Sequence, residues 1–288
     1  MSDSDPIFRR FPYLGDQWLF PIVLALGLAL VLAAALWIWF NQERLLFQPI
    51  VLPISVALSD EPDVSEVAIE VPGARLSALH LRLSNPQGVV FFLHGNGGNL
   101  QSWFVNTEFF RRIGFDLFML DYRGYGKSTG KIESESQLRA DVRAAWAKVA
   151  PQYAGKKVVI YGRSLGTALA AGLTAEIGAN AGAQQPSLTV LVSPYSSMVA
   201  LTGEHYPLVP AVMLRYPLRT DEAVARIRSP LLLFHGDLDN LISPHHSEAL
   251  QALAPHAQLV RVPGAGHNDV HEFDSYLDAL TGALGALK

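Results

Sequence analysis

Residues 157–177 read KVVIYGRSLGTALAAGLTAEI, and the parsing of this stretch decides the fold. Val158–Tyr161 is a short apolar run of β-formers, bounded by Lys157 and Gly162. From Leu165 onward the chain is rich in Ala, Leu and Gly, a helix suited to packing closely behind a strand. Between them, Gly162-Arg163-Ser164-Leu165-Gly166 fits G-x-S-x-G. Two glycines without a Cβ let strand and helix approach, while Ser164 is held in a strained backbone conformation at the turn. The hydroxyl is then expected at the carboxyl end of a sheet, above the N-terminus of the next helix. The competing reading is a plain turn with Ser164 as the helix N-cap.

Working outward, five further apolar runs bounded by glycine, proline or charge repeat the pattern: 89–95, 116–124, 188–194, 230–236 and 258–264. Each is nearly continuous in apolar character, as in strands covered on both faces. Helical stretches alternate with them, at 137–150, 165–177, 244–254 and 272–287. In the first, Leu138, Val142, Ala145 and Trp146 share one face. This alternation predicts a mostly parallel α/β sheet with helices on both faces. Two strands, Val67–Val71 and Leu76–Leu83, precede it around a Pro72-Gly73 turn. Residues 195–228, rich in proline and aromatics, read as a small cap over the strand ends. There Tyr195, Tyr206, Leu208, Val209, Val212, Met213, Leu214 and Tyr216 offer an apolar surface for an acyl group.

A serine hydroxyl needs a base to take its proton. Of nine histidines, His267 lies in GAGHN at 264–268, a flexible loop after the last strand, where a ring can reach back across the sheet end. His94 and His235 sit in His-Gly pairs suited to turn packing. His245 and His246 open a helix, His205 lies in the cap, and His80, His256 and His271 read as surface or core. The acid belongs between serine and histidine in chain order. HGDLD at 235–239 supplies Asp237 and Asp239. Both project to the same side of an extended segment, so periodicity does not choose. Distance from the strand end favours Asp239, with Asp237 as a turn residue. The glycine-rich loop HGNGGN at 94–99 follows the strand at 89–93, where an oxyanion donor is needed. The N–H groups of Asn96 and Leu165 form the natural pair. The loop lacks Gly-Lys-Ser/Thr and G-x-G-x-x-G, which argues against phosphate binding.

Composition narrows the class. The chain has 288 residues, 22 basic and 26 acidic, for a net charge of −4. That balance gives no basic face for nucleic acid. Half the residues are apolar and 17% charged, which excludes disorder over most of the length. The absence of cysteine excludes disulfides, cysteine nucleophiles and thiolate metal sites. Residues 18–40, WLFPIVLALGLALVLAAALWIWF, carry no charge and, at about 1.5 Å per residue, reach ~34 Å, enough to span a bilayer core. Trp18, Trp37 and Trp39 suit the two interfaces. A signal peptide cleaved after Ala33-Ala34-Ala35 is the rival, but its mature terminus, Leu36–Phe40, is strongly apolar. Arg9 and Arg10 before the span, against Arg44 after it, predict a cytoplasmic N-terminus and a domain outside. The organisation is then a tail at 1–17, a transmembrane helix at 18–40, a proline-rich connector at 41–63 and one domain at 64–288.

HGNGGN, DYRGYGKSTG at 121–130, YGRSLG at 161–166, HGDLD and GAGHND at 264–269 together resemble the membrane-anchored serine hydrolases of the α/β-hydrolase superfamily. They are most similar to the branch of protein-depalmitoylating α/β-hydrolase-domain proteins and their bacterial relatives. The similarity spans about residues 43–280, including QERLLFQP at 42–49 and YPLVP at 206–210. It implies an α/β-hydrolase fold with a small cap, Ser164 as nucleophile, Asp239 as acid and His267 as base. It also implies Asn96 and Leu165 as oxyanion donors. Where the eukaryotic relatives use a palmitoylated cysteine cluster, this chain has no cysteine and an apolar span. The reading is an esterase or thioesterase acting through an acyl-enzyme on small-molecule or lipid-like acyl substrates, with no metal or cofactor implied. The alternatives are a serine peptidase of the prolyl-oligopeptidase type and a non-catalytic membrane-bound binding protein on a hydrolase fold.

Overall fold

The computed structural model describes residues 19–287. The tail at 1–17 with Arg9 and Arg10, and Trp18 of the expected span, lie outside them. The chain divides between Gln42 and Glu43 into two units. The first consists of most of α1 (Leu19–Leu46), a 28-residue helix long and apolar enough to cross a membrane. It runs six residues past the expected end at Phe40. The residues from Asn41 to Leu46 hold no glycine or proline, and the break comes just before Gln48, which Pro49 disfavours as helical. Part of the expected connector is therefore helical.

The second unit carries an eight-stranded sheet. In chain order its elements are β1 (Val64–Val71), β2 (Ala74–Leu81), β3 (Gly88–Leu93), α2 (Leu100–Trp103), α3 (Thr107–Ile113), β4 (Phe115–Leu120) and α4 (Glu135–Val149). There follow β5 (Lys157–Arg163), α5 (Gly166–Gly178), β6 (Leu188–Val192), α6 (Met198–His205), α7 (Thr220–Val224), β7 (Leu231–Gly236), α8 (His245–Leu253), β8 (Gln258–Val262) and α9 (Asp274–Gly285). The strand order is β1-β2-β4-β3-β5-β6-β7-β8. β1 and β2 form an antiparallel hairpin, β2 runs antiparallel to β4, and every later pairing is parallel. The hairpin starts at Val64, earlier than expected, because the tight turn pairs Val71 with Ala74 and the register continues to Val64 opposite Leu81. Gly73 makes that turn possible at φ +76°.

Alternation along the strands builds two core layers. Val89, Phe91 and Leu93 of β3 face Leu138, Val142 and Ala145 of α4 and the small residues of α5. Val90 and Phe92 face the other layer, with Phe109 and Phe110 of α3 and Tyr276, Leu280 and Leu284 of α9. Burying one such Phe or Leu stabilises the fold by about 1.5–3 kcal/mol. The start of α4, two residues earlier than expected, is set by Ser134, whose Oγ accepts the Gln137 N–H at 3.1 Å.

The cap holds α6, a 3-10 turn at Ala211–Met213 and α7. Glu204 of α6 hydrogen-bonds to His245 (3.0 Å) and His246 (3.2 Å) of α8. Tyr216 donates to Glu43 at 2.7 Å and meets Phe47 edge-on. Tyr195 and Tyr216 are buried core residues, whereas Tyr206, Leu208 and Val212 are exposed. The cap surface expected for an acyl group is thus split: Tyr195 and Tyr216 are absorbed into packing, Val209, Met213 and Leu214 are half-buried, and Tyr206, Leu208 and Val212 face solvent.

Candidate active site

Ser164 sits between β5 and α5 with φ +50°, in the left-handed region that non-glycine residues rarely adopt. Neighbours hold the strain in place. Its N–H donates to Val192 O (2.9 Å), while its carbonyl accepts the Thr167 N–H (2.9 Å) and hydroxyl (2.6 Å). Ser164 does not N-cap α5, since no side chain caps that helix. Both flanking glycines are sterically required. A Cβ on Gly162 would lie 2.5 Å from Gly166 O, and one on Gly166 would lie 2.0 Å from Leu93 O.

His267 and Asp239 come to this serine from two later loops. His267 Nδ1 lies 2.8 Å from Asp239 Oδ2, and Nε2 lies 3.0 Å from Ser164 Oγ. A carboxylate only accepts, so Nδ1 carries the proton and the Nε2 lone pair faces the serine hydroxyl. Asp239 Oδ1 accepts the N–H groups of Leu241 (3.0 Å) and Ile242 (2.8 Å). His235 Nε2 stands 3.3 Å from Oδ2. Burial raises the Asp239 pKa, but the hydrogen bonds from His235 and His267, the His267 charge and the Ile242 N–H outweigh it. The carboxyl is held well below the usual range. Asp237 turns elsewhere and pairs with Arg261 of β8 at 2.7 Å.

The loop after β3 lies across the site. Asn96 N–H and Leu165 N–H, the two expected donors, have no acceptor among the described residues. The loop is strapped from behind. Asn96 Oδ1 accepts the N–H of Gln48 (3.0 Å) and of Gly97 (2.8 Å), and Gly98 exchanges backbone bonds with Gln48 and Ile50. Asn99 Nδ2 donates to Ile50 O at 2.9 Å. Gly97 and Gly98 have φ of +67° and +80°. His94 is buried against Tyr122, and its Nδ1–H donates to Gly95 O at 2.8 Å, which is turn packing. His235 also packs, between Ser247 and Ile242 O.

Sequence reasoning missed the Gln48–Ile50 strap and the contact of His235 with Asp239. The first had a signal in QERLLFQP, and the second in the His-Gly pair one turn before the acid.

A family model described as serine aminopeptidase S33 matches residues 84–217, and one described as alpha/beta hydrolase fold matches 194–274. An uncharacterised protein of Mycobacterium tuberculosis is 31% identical over 90% of this chain and 92% of its own. Alpha/beta hydrolase domain-containing protein 17B of Xenopus tropicalis is 32% identical over 72% of this chain and 70% of its own. An esterase of Pyrococcus furiosus, 19% identical, shares the fold over 84% of this chain and 98% of its own, with a TM-score of 0.64. The chain belongs to the α/β-hydrolase superfamily, in the branch of the α/β-hydrolase domain-containing proteins.

Proposed function

We propose that the protein is a serine hydrolase that cleaves carboxylic esters or thioesters of acyl, lipid-like substrates at a membrane. The observation that carries this reading is the relay Asp239–His267–Ser164, at 2.8 and 3.0 Å, on a strained serine. His267 Nε2 takes the Ser164 proton as Oγ attacks the acyl carbon. The tetrahedral oxyanion is held by the N–H groups of Asn96 and Leu165. The imidazolium, stabilised by Asp239, gives its proton to the departing alkoxide or thiolate as the carbon–heteroatom bond breaks. Water, deprotonated by the same ring, then attacks the acyl-enzyme and releases the acid. A fluorophosphonate probe tests the reading. The full chain labels and Ser164→Ala does not, with kcat falling by about a millionfold. Labelling of the Ser164→Ala protein at the wild-type rate refutes it.

The serine aminopeptidase description of one matching model favours a peptidase reading. Recognition of a substrate amino terminus needs a free carboxylate facing the site; Asp239 is taken up by His267 and two N–H groups, and Asp269 accepts the Gly266 N–H. Faster hydrolysis of aminoacyl amides than of acyl esters decides for the peptidase.

The span at 18–40 serves as the anchor, with the N-terminus cytoplasmic and the catalytic domain outside. Full-length protein then resists alkaline carbonate extraction, and protease added to intact cells cuts the domain. A mature N-terminus near Leu36 overturns the anchor.

A further inference from the structure

Between the sheet, α3 and α9 lies a mostly apolar chamber of about 410 Å³, within the ~300–1,000 Å³ typical of small-molecule sites; Ser164, His267 and Asp239 are not among its lining residues. Phe92, Met119 and Tyr161 of the sheet, Phe109 of α3, and Leu277 and Leu280 of α9 line it. No carboxylate does, and the Tyr161 hydroxyl is bonded to that of Tyr276 at 2.6 Å. Three lining residues adjoin the site in sequence. Arg163 precedes Ser164, Asn268 follows His267 and Gly97 follows Asn96.

Trp103 is the shared wall. A Cβ built on Gly95 would lie 2.8 Å from the Trp103 ring and 3.3 Å from Ser164 Cβ. The indole N–H donates to Gly97 O at 2.8 Å, and the Arg163 guanidinium lies 5.4 Å from the ring centroid. Arg163 donates to Asn268 O at 2.6 Å and meets His271 Nδ1 at 3.2 Å, so its donors are directed at the protein. At the mouth, Ile50 and Val105 form a rim that is apolar and exposed. None of the cap residues lines the chamber.

Resting on the serine-hydrolase reading, we infer that this chamber, and not the cap surface, holds the acyl chain of the substrate. The acyl carbon sits at Ser164 and the chain runs past the edge of Trp103 between α3 and α9. An alkyl chain fits a lining whose walls are mostly apolar, with no acid to pair a cation. Arg163 and His271 are engaged with each other, Ser102 is bonded to Asn99 O, and Asn106 and Asn268 add polar edges.

The test compares p-nitrophenyl acetate with octanoate, using the full chain in lipid nanodiscs at measured free substrate concentrations. Full burial is worth about fourfold in kcat/KM per methylene, and half of that free energy, about twofold, gives about 60-fold over six methylenes. The wild-type protein is expected to favour octanoate by at least that factor. Val105→Trp and Leu277→Trp should each lower the octanoate-to-acetate ratio about tenfold or more, and a ratio is insensitive to lost folded protein. Leu208→Ser and Val212→Ser on the cap should leave it unchanged. A wild-type ratio near one, with hydrolysis still dependent on Ser164, overturns the chamber and leaves the serine-hydrolase reading standing. A ratio that falls with the cap variants but not with the chamber variants does the same. Absence of Ser164-dependent hydrolysis of either ester overturns both.

Discussion

Replacing Asp239 with asparagine tests the relay at its most constrained atom. Oδ1 accepts two backbone N–H groups and Oδ2 accepts the His267 Nδ1 proton. An amide must put its NH₂ on one side or the other. On the Oδ1 side it sets donors against the N–H groups of Leu241 and Ile242. On the Oδ2 side it donates to Nδ1, which moves the ring proton to Nε2 and removes the lone pair facing Ser164. The lost charge also leaves the imidazolium without its counter-ion. A comparable loss in a serine triad costs ~10⁴ in kcat, about 5 kcal/mol of transition-state stabilisation. We expect that drop with KM nearly unchanged, measured as Ser164-dependent ester hydrolysis, with circular dichroism melts verifying the fold. Asp237→Asn breaks only the half-exposed pair with Arg261. It should cost about 0.2–1 kcal/mol of stability and less than twofold in kcat. An Asp239→Asn enzyme within tenfold of wild type, or a more damaging Asp237→Asn, refutes the assignment.

Gly166→Ala should destabilise the fold by about 1–3 kcal/mol or more, because the new Cβ meets the carbonyl oxygens of Leu93 and His94. Gly282→Ala on the exposed side of α9 meets nothing and should stabilise by up to about 1 kcal/mol; equal melting shifts of the same sign would contradict the close-approach argument. His80 is buried, and burial together with the Arg82 charge pushes its pKa down to about 4. The unfolded chain therefore takes up this proton first. The contribution is complete above about pH 6.5 and is lost as pH falls towards 4, to a total of about 3 kcal/mol. Urea midpoints at pH 7 and pH 4.5 should differ less for His80→Gln than for wild type, and an equal pH dependence would refute the linkage.

The parallel strands were legible because each is buried on both faces, so its apolar run is nearly unbroken. Phe91 and Phe92 must both find a core, on opposite layers. The elbow was legible for a different reason, since G-x-S-x-G is a contiguous motif, and Gly162 answers a steric demand from Gly166 O four residues on, although the demand on Gly166 comes from Leu93 and His94. Short helices were not. Residues 100–113 fold as α2 and α3, and neither is long enough to show a 3.6-residue period. The chamber was hidden with them, because Trp103 and Phe109 come from those helices and meet α9 only through tertiary packing.

The two acids show where local reading ends. Asp237 and Asp239 are two residues apart on one loop, and what separates them is the pairing of β7 with β8. That register sets His235 opposite Arg261, and the Arg261 guanidinium then takes Asp237 away from the imidazole. Within 235–239 only distance from the strand end favours Asp239, because the charge that engages Asp237 lies on the neighbouring strand. The connector behaves in the same way. Its three prolines at 49–62 read as a spacer, yet just past the helix Pro49 and Val51 pair with Gly98 and Gly126, and Gln48 and Ile50 hold Asn96 and Asn99. Proline here prevents helix while leaving the N–H groups of Gln48, Ile50 and Leu52 free to make these bonds. The segment that leaves the apolar helix thus fixes the loop facing Ser164, and Ile50 within it also forms part of the chamber mouth. A substitution in this strap, such as Gln48→Pro, removes the donor to Asn96 Oδ1 and should loosen the loop without touching the relay.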